Sequence, residues 1–194
     1  HFGYAIDYNG MYTNAIKNGS NPMRWIEYSI TATIMIVIMA VSATVLEVQT
    51  LLSLIVATFV IMMMGSVIEN CIKTRNFYTA KYVTFLAWIL EIYVFFVIGQ
   101  RFVSTIKTVN EKLEGEKKDI IPEFVYYILI SQLVFYSTFG FIQMFQLIRS
   151  SNGKAPSFVK IETAYHTLSL VSKLSLGWLF YFGVKQGMQT RSAE

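Results

Sequence analysis

Five blocks of apolar residues, running from Met23 to Leu46, Val48 to Ile72, Phe77 to Ile106, Ile121 to Ile148 and Phe158 to Val184, constrain this chain more than any other feature. A helix that crosses a bilayer needs about 20 mostly apolar residues, and each block supplies them. In hydrocarbon the backbone must satisfy its own hydrogen bonds, so the blocks read as helices even where Val, Ile and Thr are dense. The sequence therefore predicts an all-α membrane protein, with residues 1–194 forming one transmembrane domain and lipid as its first partner. Only 14% of the residues are charged, and most lie between the blocks. The net charge of +4 belongs to loops near headgroups, and no basic patch points to nucleic acid.

The linkers are short. Glu47-Val48-Gln49 joins the first two blocks and Asn70 to Asn76 the next two; NEKLEGEKKD at 110–119 and SSNGKAPS at 150–157 are loops by charge and by Gly and Pro. Basic residues divide eight against seven between the two sides. The near absence of acids from the linkers holding Lys73 and Lys154 tilts that side to the cytoplasm and the C-terminus to the outside. The chain opens on His1 without the charged and apolar pattern of a signal peptide, so it is expected to begin inside a longer protein. The lone cysteine, Cys71, reads as packing.

Ionisable residues at bilayer depth are costly and mark function by default. Lys173 is the sharpest case. It lies in the middle of the apolar run Ala164 to Phe182, with no acid within one turn on its own helix. Burial favours the neutral amine, a nucleophile that condenses with an aldehyde to a Schiff base. Protonating that imine requires a carboxylate, and Glu27, in RWIEYSI at the head of the first block, is the natural candidate. Tyr165, Ser169 and Lys173 share one helical face, as do Glu27, Thr31 and Met35, so two polar stripes are available to one pocket. Other readings stay open. Lys173 would also suit a water-filled cavity or a structural ion pair, and Glu27 an interfacial role beside Arg24. Counted from the same side, Glu27 is about 7 Å shallower than Lys173 at 1.5 Å per residue, a gap that helix tilt and the lysine stem would have to close.

The remaining candidates are less specific. Glu91, in AWILEIYVFF, fits a proton relay, a neutral buried acid or a protomer contact. Glu69 is expected near the headgroups in a solvated or loop-capping role, and Glu162 near a helix mouth, four residues before His166. Phe135, Tyr136, Phe139 and Gln143 of the fourth block, with the IMMMG at 61–65, supply flat and adaptable walls for a long apolar ligand. Such walls, one lysine and one carboxylate suit a conjugated polyene aldehyde. No metal-ligand spacing, phosphate-binding glycine loop or Ser/His/Asp order is present, so the chain is expected not to be an enzyme.

On NPMRWIEYSITAT at 21–33, FGFIQ at 139–143, and Ser169 and Lys173 within HTLSLVSKLSLGWLF, the sequence resembles the heliorhodopsins, a retinal-binding family of inverted membrane orientation. The resemblance implies a rhodopsin-like seven-helix bundle of which the third to seventh helices are visible, the first two lying outside this sequence. It implies all-trans retinal held by Lys173 as a Schiff base, with Glu27 as counterion. Ser169 would replace the second acid of other microbial rhodopsins. His1, Arg24 and Glu69 would join an inner polar network to which Glu91 is a candidate addition, and Tyr28, Thr31, Tyr136 and Gln143 would line the pocket. It further implies a homodimer, a C-terminus outside, and a photosensory role through a signalling partner still to be identified. Light-driven or light-gated proton transport through Glu91 or Glu69 is the alternative, and a helical scaffold without photochemistry the second.

Overall fold

The computed structural model describes residues 10–112 and 123–191. Six helices occupy them: α1 Met11–Lys17, α2 Pro22–Ser42, α3 Val48–Lys73, α4 Phe77–Lys112, α5 Glu123–Ser151 and α6 Phe158–Arg191. All but α1 are long and apolar enough to cross a membrane, and no strand occurs among the described residues. The two residues with which the fourth expected span begins, 121 and 122, lie outside the described residues.

The helix ends follow one rule. At α1, α2, α3 and α5 the last turn closes with a pair of backbone bonds, as in Thr44 N to Val41 O at 3.0 Å and Val45 N to Ala40 O at 2.9 Å, the signature of a Schellman turn with a left-handed residue after the cap. Gly19 and Gly153 fill that position in α1 and α5, but Thr44 (φ 65°) and Arg75 (φ 57°) fill it in α2 and α3. This corrects the first expected span, which stops at Ser42 rather than Leu46: Thr44 turns the chain, and its hydroxyl bonds the Thr105 hydroxyl at 2.8 Å on α4. At the other end of α2, Pro22 sits in the first turn, where its missing N–H costs nothing, and the Asn21 side chain accepts from Arg24 N.

Neighbours in sequence pack together, and α5 also touches α2 and α3. Ring pairs Phe102–Tyr126, Phe95–Tyr136 and Trp88–Phe141 run in opposite order along α4 and α5, so these two helices are antiparallel. On α2, Ile26, Ile30, Ile34 and Ile38 are exposed at intervals of one turn, while Trp25, Tyr28, Ala32, Met35, Ile36 and Met39 are buried. The exposed apolar stripe is the face offered to lipid; the buried one carries the aromatic, polar and small residues on which packing between membrane helices depends.

A close approach joins α2 and α3. A Cβ built on Gly65 would fall inside the Trp25 ring, which leans over this glycine and donates from Nε1 to Glu69 at 3.2 Å. Gly65→Ala is therefore expected to push Trp25 off its seat and destabilise the bundle by about 1–3 kcal/mol, the usual cost of overpacking. Thermal melting in detergent checks this; an unchanged midpoint would mean that Trp25 yields freely.

Candidate functional site

Two polar centres lie one above the other between α2 and α6. The inner one is built on Arg24, which is fully buried. Its two terminal nitrogens donate separately to Glu69 of α3 and Glu162 of α6. Asn21 completes the cage: its backbone N donates to Glu69 at 2.5 Å and its side-chain amide to Glu162 at 2.6 Å. The guanidinium also stacks over the rings of Trp25 (4.9 Å) and Tyr165 (4.4 Å). Such a group is tolerated in the interior because both terminal nitrogens meet a carboxylate, Nε alone being left without a hydrogen-bond partner among the described residues.

This geometry corrects one expectation and adds to another. Glu69 is not solvated near the headgroups: it is 2% exposed. Glu162, read from sequence only as a residue near a helix mouth, is 3% exposed and is one of the two partners of Arg24. A fully buried guanidinium facing one acid leaves a terminal nitrogen without an acceptor, and that donor count was the available signal. His166 lies one turn from Glu162, with Nδ1 3.8 Å from its carboxylate. His1 lies outside the described residues.

The outer centre pairs Lys173 with Glu27. Nζ is 3.8 Å from Oε1, and both side chains are partly buried. The sequence put these groups at different depths; α2 and α6 bring them together, with the long lysine side chain spanning the difference. The Tyr28 ring lies below Nζ, its centroid 5.7 Å away, and the Tyr28 hydroxyl donates to the backbone oxygen of Tyr165 at 3.1 Å. Tyr28 and Tyr165 thus form the layer between the two centres.

From Lys173 a narrow void of about 30 Å³ runs into the bundle. Tyr28, Thr31, Ser169 and Ser172 surround its start; Ala32, Met35, Met62, Tyr136 and Phe139 form its walls. Tyr136 is pinned by a 2.8 Å bond from its hydroxyl to Ala32 O, and Phe139 by stacking on Tyr165 and an edge contact with Tyr28. Of the pocket candidates, Tyr28, Thr31, Tyr136 and Ser169 line this void. Gln143 lies one void further on, donating to Gly65 O at 2.9 Å. Glu91 is on α4, away from the Arg24 cage, and no hydrogen bond joins it to the cage among the described residues. Ser172 was not anticipated.

The heliorhodopsin family model matches residues 1–185 of the chain. The chain belongs to the heliorhodopsin family. No curated protein gives a significant match. Heliorhodopsins are membrane photoreceptors of the rhodopsin type that bind retinal. The residues of this heliorhodopsin fit that ligand: a partly buried amine at one end of a slot, a carboxylate beside it, and walls of aromatic rings and methionines. The slot is tight, since sites for organic ligands commonly reach about 300 Å³ or more. Met35 and Met62, unbranched and with three rotatable bonds, are the side chains best able to make room. Among the described residues no group of His, Cys, Asp and Glu could hold a metal ion.

Proposed function

We propose that Lys173 carries all-trans retinal as a protonated Schiff base, that Glu27 is its counterion, and that the protein senses light. The observation that supports this reading is the 3.8 Å approach of Lys173 Nζ to Glu27 Oε1 at the mouth of an apolar slot. Retinal supplies the absorption of visible light and a bond that isomerises. The protein does the rest. Glu27 holds the positive charge at Nζ and is the nearest acceptor for a proton released there. Tyr28 adds its ring face to that stabilisation, while Ser169 leaves Glu27 to act as the carboxylate of the site. Tyr136 and Phe139, fixed by their own contacts, hold the polyene straight and keep water from it.

A shift at Lys173 reaches the Arg24 cage through Tyr28, which lies against Lys173, and Tyr165, which accepts its hydroxyl and lies against Arg24. That path leads to the end of the bundle where α1 and the linkers lie, a suitable surface for a signalling partner. Proton transport through Glu91 is the weaker reading, because Glu91 is set apart from the cage. The C-terminus is assigned to the outside and the functional unit to a homodimer, both on the family resemblance and, for the first, on the distribution of basic residues.

Glu27→Gln tests the counterion. A negative charge beside the imine stabilises the ground state, in which the positive charge sits on nitrogen, more than the excited state, in which it moves along the polyene. Removing it is expected to shift the visible band to the red. It also makes the imine give up its proton more readily, so that the visible band disappears at a pH about 1 to 3 units lower than in the wild type. Spectra of the reconstituted variant across pH check both; a band unmoved in wavelength and in pH would remove Glu27 from this role.

A further inference from the structure

Where the α3–α4 and α5–α6 linkers meet beside the end of α1, the structure has a cleft of about 450 Å³ that the chromophore reading does not use. Ligand sites commonly span about 300–1,000 Å³. Lys73 and Arg75 line it, and no carboxylate does. The acids of the neighbouring segments, Glu69 and Glu162, are committed to Arg24, and neither Lys73 nor Arg75 has an ion-pair partner among the described residues. Gln146 of α5 lines the same cleft. It is 6% exposed, and its side chain makes no hydrogen bond among the described residues. Buried polar groups are nearly always satisfied, and an exception marks a place where a partner belongs. Arg75 stands at the left-handed position after α3, with φ 57°, where glycine is at home and a side chain is a cost. Phe77 and Phe158, the first residues of α4 and α6, bring the positive ends of two helices to the cleft. The negative ends of α3 and α5 also reach it, but their carbonyls are taken by turn amides, Arg75 N to Ile72 O at 3.1 Å and Gly153 N to Ser150 O at 3.2 Å.

We propose that this cleft binds a phosphate monoester group, carried by a membrane lipid or by a soluble molecule. Such a group holds close to two negative charges at neutral pH and offers three acceptor oxygens. The cleft supplies the complement: two cations, the Gln146 amide, and the hydroxyls of Ser150 and Ser151. Its place at the ends of spanning helices puts it within reach of headgroups. Nothing at this site depends on a chromophore at Lys173. The cleft does share its segments with the Arg24 cage, since Ile72 lies one turn after Glu69 on α3 and Phe158 one turn before Glu162 on α6. A bound phosphate therefore braces the ends of α3, α4, α5 and α6 against one another, and its binding is read as stability.

The test melts the whole chain in phosphatidylcholine nanodiscs under three conditions: alone, with inorganic phosphate in the buffer, and with phosphatidic acid, a phosphate-monoester lipid, in the disc. Sodium chloride at matched ionic strength is the control. Phosphate is expected to raise the melting midpoint in a saturable way. Protection by phosphatidic acid alone assigns the group to a lipid, and protection by inorganic phosphate assigns it to a soluble ligand. The double variant Lys73→Gln, Arg75→Gly should bind at least about tenfold more weakly, the value of one hydrogen bond between charged groups. Arg75→Gly alone frees the left-handed position of its side chain, so without phosphate it should melt no lower than the wild type, and protection lost in it reports binding rather than misfolding. Gln146→Leu leaves the charge unchanged and should also weaken protection, whereas Lys107→Gln, at the far end of α4, should keep it. No protection in either phosphate arm, or equal protection by chloride, would overturn the proposal. So would protection undiminished in the double variant or in Gln146→Leu, or lost to the same extent in Lys107→Gln.

Discussion

Lys173→Ala is expected to abolish the visible absorption band completely. The only other lysines among the described residues whose side chains are placed, Lys17, Lys73, Lys81, Lys107, Lys154, Lys160 and Lys185, stand towards helix ends and linkers, and none lines the slot. Without the amine no imine forms, and the bound aldehyde absorbs only in the ultraviolet. Lys173→Arg should lose the band equally, since a guanidinium stays protonated and does not condense with the aldehyde. It keeps the charge facing Glu27, so it separates loss of the covalent bond from loss of the ion pair. Neither change should cost much stability, because the Lys173–Glu27 pair is partly exposed and such pairs are worth about 0–1 kcal/mol. A visible band surviving in either variant would place the chromophore elsewhere and would undo the functional reading.

Arg24→Gln is expected to have the largest effect on the fold, destabilising it by about 3–5 kcal/mol, the usual result of removing one partner from a buried ionic group. Two carboxylates, Glu69 and Glu162, would then face each other in the interior, with Asn21 and Trp25 among their remaining donors. The cation stacked on Trp25 and Tyr165 would go as well. Arg24→Lys should recover little: a single ammonium cannot serve two acids in the places where the guanidinium presents two nitrogens. The combination Arg24→Met, Glu69→Gln and Glu162→Gln removes charge from all three positions and is expected to regain most of the loss. Thermal melting and resistance to proteolysis in detergent read these differences. A wild-type midpoint for Arg24→Gln would mean that water reaches the cage and screens it.

The spanning helices were legible because hydrocarbon leaves the backbone few choices, and length and composition alone then set their number. Their ends were less so. Thr44 ends α2 in a left-handed conformation that a β-branched residue seldom adopts, and nothing in VSATVLEV announces it as a glycine would. Lys173 and Glu27 stood out by type and depth, and their helical faces pointed to a common pocket. The partners of Arg24 did not. Glu162 is 138 residues away in the chain, and a single sequence carries no signal that links two residues so distant unless an acceptor is sought for each nitrogen of the buried guanidinium. Glu91 was visible as a buried acid, but the void that it shares with Trp88 and Gly140 arises only when α4 and α5 pack.

The Arg24 cage also bears on how the chain is made. α2 carries an arginine into the bilayer before either of its acids has been synthesised. Glu69 arrives with α3, the next helix, and the pair α2–α3 can then bury the charge as a hairpin with one fork of the guanidinium engaged. The second fork waits for Glu162 on α6, the last spanning helix described. Closure of the bundle around the slot is thus tied to the arrival of α6, and a chain truncated before it is left with one guanidinium nitrogen without its acceptor in the membrane, a defect that quality control can detect.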